Sequence, residues 1–130
     1  MIVGTGIDIV EISRIEQLLG RYPERFVSRV FTDAEAQYAF SGVLASERLA
    51  GRFAVKEAVM KAFGTGKSQG ILWRDVETIR TPSGKPEVRL HGQALKWLEK
   101  IGADTIHVSI THDGGRAVAF VIIERKGILS

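Results

Sequence analysis

Two carboxylates could do chemistry if the fold brings them together. Asp8 interrupts the β-branched stretch of Ile7, Ile9 and Val10, and Glu57 interrupts a long apolar helical pattern, with Lys61 one turn further on. Brought together from separate elements beside a lysine, two such acids form the donor set of a Mg²⁺ site. That ion takes oxygen ligands, usually one or two carboxylates, and leaves water and substrate phosphates to complete its octahedron. Three scattered His and no Cys argue against softer metals. Each acid also has a plainer reading. An acid on the polar face of a strand is commonly just solvated. Glu57 and Lys61, four apart in the favourable order, suit a surface pair worth about 0.2–0.5 kcal/mol.

Further candidates follow in chain order. Gly64-Thr65-Gly66 with Lys67 and Ser68 are small and polar enough to let backbone N–H groups meet an anion. They lie at a helix C-terminus, however, where the dipole disfavours anions, and lack the spacing of a P-loop. A helix stop explains Gly64; phosphate contact by the following loop is the alternative. His112 falls at a hairpin turn, as an exposed polar residue or a ligand contact. Arg14, Arg21, Arg25 and Arg29 are interleaved with Phe26, Val30 and Phe31. This is either a solvated helical face or a docking surface, with Arg forks for carboxylates around an exposed aromatic anchor. Such a surface suits an acidic protein better than nucleic acid, because dense basic runs and stacking platforms are missing.

The elements that must position these residues read as follows. Residues 2–10 suit a strand with Ile7 and Ile9 on one face and Asp8 on the other. Ser13 and Glu16 have capping-box spacing for a helix with Ile15, Leu18 and Leu19 inward, ending near Gly20. Pro23 suits the first turn of a helix carrying Phe26, Val27 and Val30. Thr32 to Glu35 is a second capping box, opening a helix to about Phe40. Glu47 to Phe63 reads as the longest helix, with Gly64 as its left-handed stop. Its stretch from Leu49 to Phe63 holds ten apolar residues, one Gly and four charges, which marks a buried helix. Leu49, Phe53 and Met60 share one face; Ala50, Ala54, Ala58 and Ala62 offer a surface that a neighbour can approach closely. The charges Arg52, Lys56, Glu57 and Lys61 therefore cannot all be solvated, and those near the core need partners. Residues 71–80 and 87–90 read as strands around the turn-rich Pro82 to Pro86. Residues 91–101 read as a helix with Leu95, Leu98 and Ile101 at helical spacing. Ile106 to Ile110 and Ala117 to Glu124 make a hairpin turning at His112 to Gly115. The mixture predicts an α+β fold with antiparallel pairing and a long buried central helix.

At 130 residues the chain suits a single domain over 1–130, and the lack of Cys excludes a disulfide scaffold and a Cys nucleophile. A net charge of +3 favours phosphates or an acidic partner without demanding nucleic acid. The start has no signal-peptide pattern, and the longest apolar run is far short of a membrane span. The expectation is a cytoplasmic protein that engages neither membrane nor nucleic acid.

Taken together, Gly6-Ile7-Asp8-Ile9-Val10-Glu11, Arg52 to Ala58 with Lys61 to Gly66, Gly84-Lys85-Pro86, and Val108 to His112 resemble one family. It is the holo-acyl carrier protein synthase type of 4′-phosphopantetheinyl transferase. The resemblance runs from Gly6 to about Glu124. It implies transfer of the phosphopantetheine arm of coenzyme A (CoA) to a serine of an apo acyl carrier protein, for fatty acid biosynthesis. The other product is adenosine 3′,5′-bisphosphate. It further implies that Asp8 and Glu57 hold Mg²⁺, with Mn²⁺ as an alternative, and that Lys61 neutralises phosphate charge. Asp8, Glu57 and Lys61 are then the catalytic set, with Glu57 the candidate base. Arg52, Lys61 and His112 fall near the nucleotide and its phosphates; Gly64, Ser68 and Pro86 fall along the CoA cleft. Arg14, Arg21, Arg25, Phe26 and Arg29 fall where the family docks the carrier protein. It implies a homotrimer with clefts at subunit interfaces, Asp8 and the Glu57 helix belonging to the same subunit or to different ones. Two departures stand out: Arg48 occupies an expected aromatic position, and Val10 stands where two-domain relatives carry a further acid. The rival reading is a non-catalytic module that binds an acidic protein or a nucleotide.

Overall fold

The computed structural model describes residues 1–127. The chain begins with strand β1 (Ile2–Glu11), then helices α1 (Ile12–Arg21), α2 (Pro23–Val30), α3 (Asp33–Phe40) and the long α4 (Ala45–Phe63). A 3₁₀ turn (Trp73–Asp75) leads into the hairpin β2 (Val76–Arg80) and β3 (Pro86–Leu90). Helix α5 (Gly92–Lys100) and the hairpin β4 (Thr105–Asp113) and β5 (Arg116–Glu124) complete it. β1 pairs antiparallel with β5, and β5 with β4, giving a three-stranded sheet in the order β1-β5-β4; β2 and β3 form a separate two-stranded sheet. The expected α+β architecture with a buried central helix is therefore present.

α4 lies against the inner face of the three-stranded sheet, and its apolar circumference is almost wholly buried. β1 approaches it through glycines. A Cβ on Gly4 or Gly6 would collide with the carbonyl oxygens of Ala62 and Ala58, so the strand backbone rests directly on two members of the alanine face. Side chains alternate along β1, so Gly4, Gly6, Asp8 and Val10 turn to α4 while Ile7 and Ile9 turn outward. The acid is thus on the covered face and the isoleucines on the open one. That is the expected alternation, with the sides exchanged relative to simple solvation of Asp8.

Thr32 caps α3 in a reciprocal box with Glu35, and Gly64 ends α4 in the left-handed region at φ +79°, both as expected. Pro23 opens α2, as its fixed φ favours. Other expectations need correction. Glu11, not Ser13, is the N-cap of α1; β1 runs straight into the helix, leaving Ser13 inside the first turn, while the helix ends at Arg21, near Gly20 as expected. Residues 71–75 are not strand, because Asp75 folds back to accept the Leu72 N–H and closes a 3₁₀ turn. In α5 the inward residues are Ala94 and Leu98, and Leu95 is exposed. The hairpin turn is Gly114-Gly115 alone, both at positive φ, so His112 belongs to β4, opposite Ala117.

Candidate functional site

The glycine-mediated contact between β1 and α4 brings Asp8 to Lys61 and Glu57. Lys61 Nζ donates to Asp8 Oδ1 at 2.8 Å and to the Ile7 carbonyl at 3.1 Å. The expected Glu57–Lys61 surface pair is thus replaced by a bridge between strand and helix. Asp8 is only 9% exposed, and its Oδ2 is a buried oxygen without a partner among the described residues. Glu57 is half-buried. Its carboxyl titrates above the ordinary range, first because burial disfavours the charged form and next because Asp8 is a like charge; Arg14 and Lys61 pull the other way. Lys61 is held above its usual range, chiefly by the hydrogen bond to Asp8.

Two like charges that repel each other, one with an unsatisfied buried oxygen, leave a demand for positive charge that Lys61 and Arg14 meet only in part. A divalent oxygen-seeking cation removes that repulsion and satisfies Oδ2, so the residues fit Mg²⁺ or Mn²⁺. Among the described residues no three His, Cys, Asp or Glu converge. Two carboxylates would leave most of such an ion's coordination to water and other oxygen ligands.

The remaining predicted residues lie elsewhere in the chain. His112 Nε2 sits 3.1 Å from the Glu47 carbonyl and close to Gly51, against the N-terminal half of α4. Arg52 is buried, stacks 4.2 Å from the Tyr38 ring centre, and lies about 140° around α4 from Glu57. Within one chain neither joins the Asp8–Glu57 cluster. Gly64 and Ser68 follow α4 at the exposed end nearest Lys61, with the Ser68 hydroxyl donating to Thr65 O. Pro86 lines a separate groove of about 490 Å³ between the β2–β3 hairpin and the outer sheet face, with Lys85, His107, Ser109, Phe120 and Ile122.

The arginine surface is rearranged as well. Phe26 is not an exposed anchor: it is 8% exposed and packs edge-to-face on Phe31, 5.5 Å between ring centres. Tyr22 is the exposed aromatic, beside Arg25 and Arg29 on an apolar hollow of about 260 Å³ floored by Leu18, Phe26 and Trp73. Arg14 lies over Phe53 and lowers the Glu57 pKa, so it faces the carboxylate cluster. Sequence reasoning missed Tyr38, whose ring Arg48 and Arg80 also approach, at 4.4 and 5.6 Å, and the pairing of Glu35 with Lys56. Lys56 had shown only its need for a partner. The i, i+4 spacing of Arg48 and Arg52 was the available signal for the group around Tyr38.

This architecture and this cluster define a class of protein also reached by comparison. The chain belongs to the 4′-phosphopantetheinyl transferase superfamily, whose ACPS family model matches residues 4–121. It is 48% identical over 124 residues to the holo-[acyl-carrier-protein] synthase of Koribacter versatilis, covering 95% of this chain and 99% of that protein. The crystal structure of the synthase from Neisseria meningitidis superposes with a TM-score of 0.87 at 36% identity, covering 96% of this chain and all of that one. That of Helicobacter pylori, in complex with coenzyme A, gives 0.82 at 30% identity over 92% of this chain and 99% of that one.

Proposed function

We propose that this chain is a cytoplasmic, Mg²⁺-dependent enzyme of fatty acid biosynthesis, a single domain acting as a homotrimer. It moves 4′-phosphopantetheine from CoA to a serine of an apo acyl carrier protein. The serine oxygen forms a bond to the phosphorus bearing the pantetheine arm. The pyrophosphate P–O bond breaks, and adenosine 3′,5′-bisphosphate leaves. The serine proton passes to a base, for which Glu57, acting directly or through a bound water, is the candidate. Asp8 and Glu57 would hold the metal, which when bound supplies charge stabilisation to the pyrophosphate oxygens. Lys61, tethered by Asp8 yet exposed at its head, is placed to share phosphate charge. Arg21, Arg25 and Arg29 around the Tyr22 hollow would receive an acidic carrier protein, while Arg14 orients the carboxylate cluster.

The observation that carries this reading is the orphaned Asp8 oxygen, with a second, half-buried acid near enough to feel its charge, in a chain of this family. The trimer is supported by the outer sheet face. Ile7 and Ile9 are 55% and 59% exposed, and Ile7 sits opposite the exposed Phe120. An antiparallel sheet normally keeps such a face polar, and an apolar one marks an interface. A subunit boundary there would let Arg52, His112 and Pro86 of one subunit complete a cleft begun by Asp8 and Glu57 of its neighbour.

Mass spectrometry of apo acyl carrier protein incubated with CoA, Mg²⁺ and this protein should show a phosphopantetheine adduct that chelation suppresses. An unmodified serine, with an active synthase succeeding in parallel, leaves only a binding module. Ile9→Glu should lower the mass measured by light scattering from trimer to monomer and reduce turnover with it. A monomeric wild type with full activity would end the interfacial reading.

A further inference from the structure

The loop that follows α4 is fastened mainly to itself. Residues 64–70 are exposed apart from Thr65, and among the described residues every hydrogen bond they make stays within residues 60–71. Gln69 nevertheless stands at φ +61°, a left-handed conformation that a side chain rarely adopts unless its surroundings impose it. A cation–π contact carries the loop outward: Lys67 Nζ lies 5.7 Å from the centre of the Trp73 ring. Trp73 in turn stacks on Phe53, 5.1 Å between ring centres and 35° between planes, and Arg14 covers Phe53 at 5.7 Å. The contacts thus run from Lys67 on the loop to Arg14 on α1, whose charge reaches Glu57.

Trp73 has a second neighbourhood. Its backbone is pinned from the core, where its carbonyl accepts from Lys56 at 3.1 Å. With Leu18 and Phe26 it floors the hollow of about 260 Å³ beside Tyr22, Arg25 and Arg29. The residue is half-buried, so it is more than core filling. One lysine on an exposed ring does little for the stability of the fold. What it does is join two surfaces, the hollow and the loop, that share no other residue.

We propose that Trp73 is a positioning residue through which filling of the Tyr22 hollow steadies the loop 64–70, so that the two substrates bind cooperatively. This rests on the transferase reading, in which the hollow receives the carrier protein and Gly64 and Ser68 fall along the CoA cleft. A carrier protein seated on the hollow presses the indole against Phe53 and holds it under Lys67. The loop then meets CoA already ordered, and less freedom is lost when CoA binds. Binding linkage makes the effect reciprocal: CoA tightens the carrier protein by the same factor.

The test is calorimetric titration of CoA with Mg²⁺ into the protein alone and into the protein saturated with carrier protein. The carrier protein has its acceptor serine replaced by alanine, so nothing turns over. In the wild type it should tighten CoA binding about two- to fivefold, the ratio that one exposed cation–π contact supports. Lys67→Gln and Trp73→Leu should each bring that ratio to one, and Trp73→Phe, which keeps a ring on Phe53, should restore part of it. A lysine that merely touched CoA, or a tryptophan that merely supported the fold, would weaken both titrations equally and leave the ratio unchanged. Lys67→Gln, at an exposed position, carries the test should Trp73→Leu fail to fold. Trp97→Phe leaves Trp73 the only indole, and its emission should change when the carrier protein alone is added. A ratio of one in the wild type, an unchanged ratio in Lys67→Gln, or emission indifferent to the carrier protein overturns the proposal. Failure of the transferase reading is separate: it shows as absence of the carrier-protein adduct, whereas failure here leaves both substrates binding and reacting, each independently of the other.

Discussion

Helix α4 carries two lysine–carboxylate groupings on different faces, and they are built to opposite standards. Lys56 and Glu35 meet at 2.7 Å with both side chains fully buried; Lys61 and Asp8 meet at 2.8 Å with the lysine half exposed. The distances barely differ, but the accounting of polar groups does. Lys56 donates to Glu35 and to the carbonyls of Trp73 and Val76, which uses all three of its protons. Glu35 accepts from the Thr32 and Thr78 backbone N–H groups besides. This pair ties α3, α4, the 3₁₀ turn and β2 together, with nothing left over for a ligand. Around Asp8 one buried oxygen is unsatisfied and Glu57 is repelled by its neighbour. A closed network holds a fold; an open one, with a buried oxygen left unsatisfied beside a second acid, leaves room for a ligand.

The sharpest way to break this comparison is to neutralise each side in turn. Glu57→Gln should lower carrier-protein modification by at least about 10³-fold, roughly 4 kcal/mol of transition-state stabilisation. Its urea midpoint should stay level or rise, because a repelled carboxylate is removed. Glu35→Ala should do the reverse in stability. It strands the Lys56 ammonium and two backbone N–H groups in the core, a loss of about 3–5 kcal/mol in urea unfolding. Near-normal turnover in Glu57→Gln, or a negligible stability loss in Glu35→Ala, would erase the distinction between the faces.

Much of this arrangement was legible in the sequence where one local rule governs. The Thr32–Glu35 capping box, Pro23 at a helix start, Gly64 as a left-handed stop and the apolar girth of α4 each depend on a few neighbouring residues. The alanine face and the need of Lys56 for a partner were legible too, but not which elements would answer them. Glu35 lies 21 residues from Lys56, and in the sequence it reads only as the acid of a cap. Ser13 misled because its capping spacing was sound, while continuous chain geometry from β1 placed Glu11 at the cap. Phe26 misled because an aromatic among arginines reads equally as anchor or as core, and only tertiary packing on Phe31 decides. The meeting of Asp8 and Glu57 required Gly4 and Gly6 to let β1 sink onto α4. Spacing did not reveal that step; the family resemblance supplied it.

The smallest expected effect is a slope, and it sharpens the comparison where mutation is crude. In the ion-free protein Glu57 holds its proton to higher pH than an ordinary glutamate, because of burial first and Asp8 second. Over the window between those two values the folded state binds more protons than the unfolded one, so stability falls as pH rises. Beyond the upper end the loss is complete and the profile flattens. Mg²⁺ competes with that proton and relieves the same repulsion, so its stabilisation should grow through the same window, up to about 1–3 kcal/mol at saturating ion. Thermal unfolding at stepped pH, with and without Mg²⁺, reads both effects. Glu57→Gln should flatten the ion-free slope and remove most of the Mg²⁺ shift, whereas Glu35→Gln, though less stable throughout, should keep both. Equal Mg²⁺ shifts in wild type and Glu57→Gln would place the ion elsewhere and leave the unsatisfied Asp8 oxygen without its explanation.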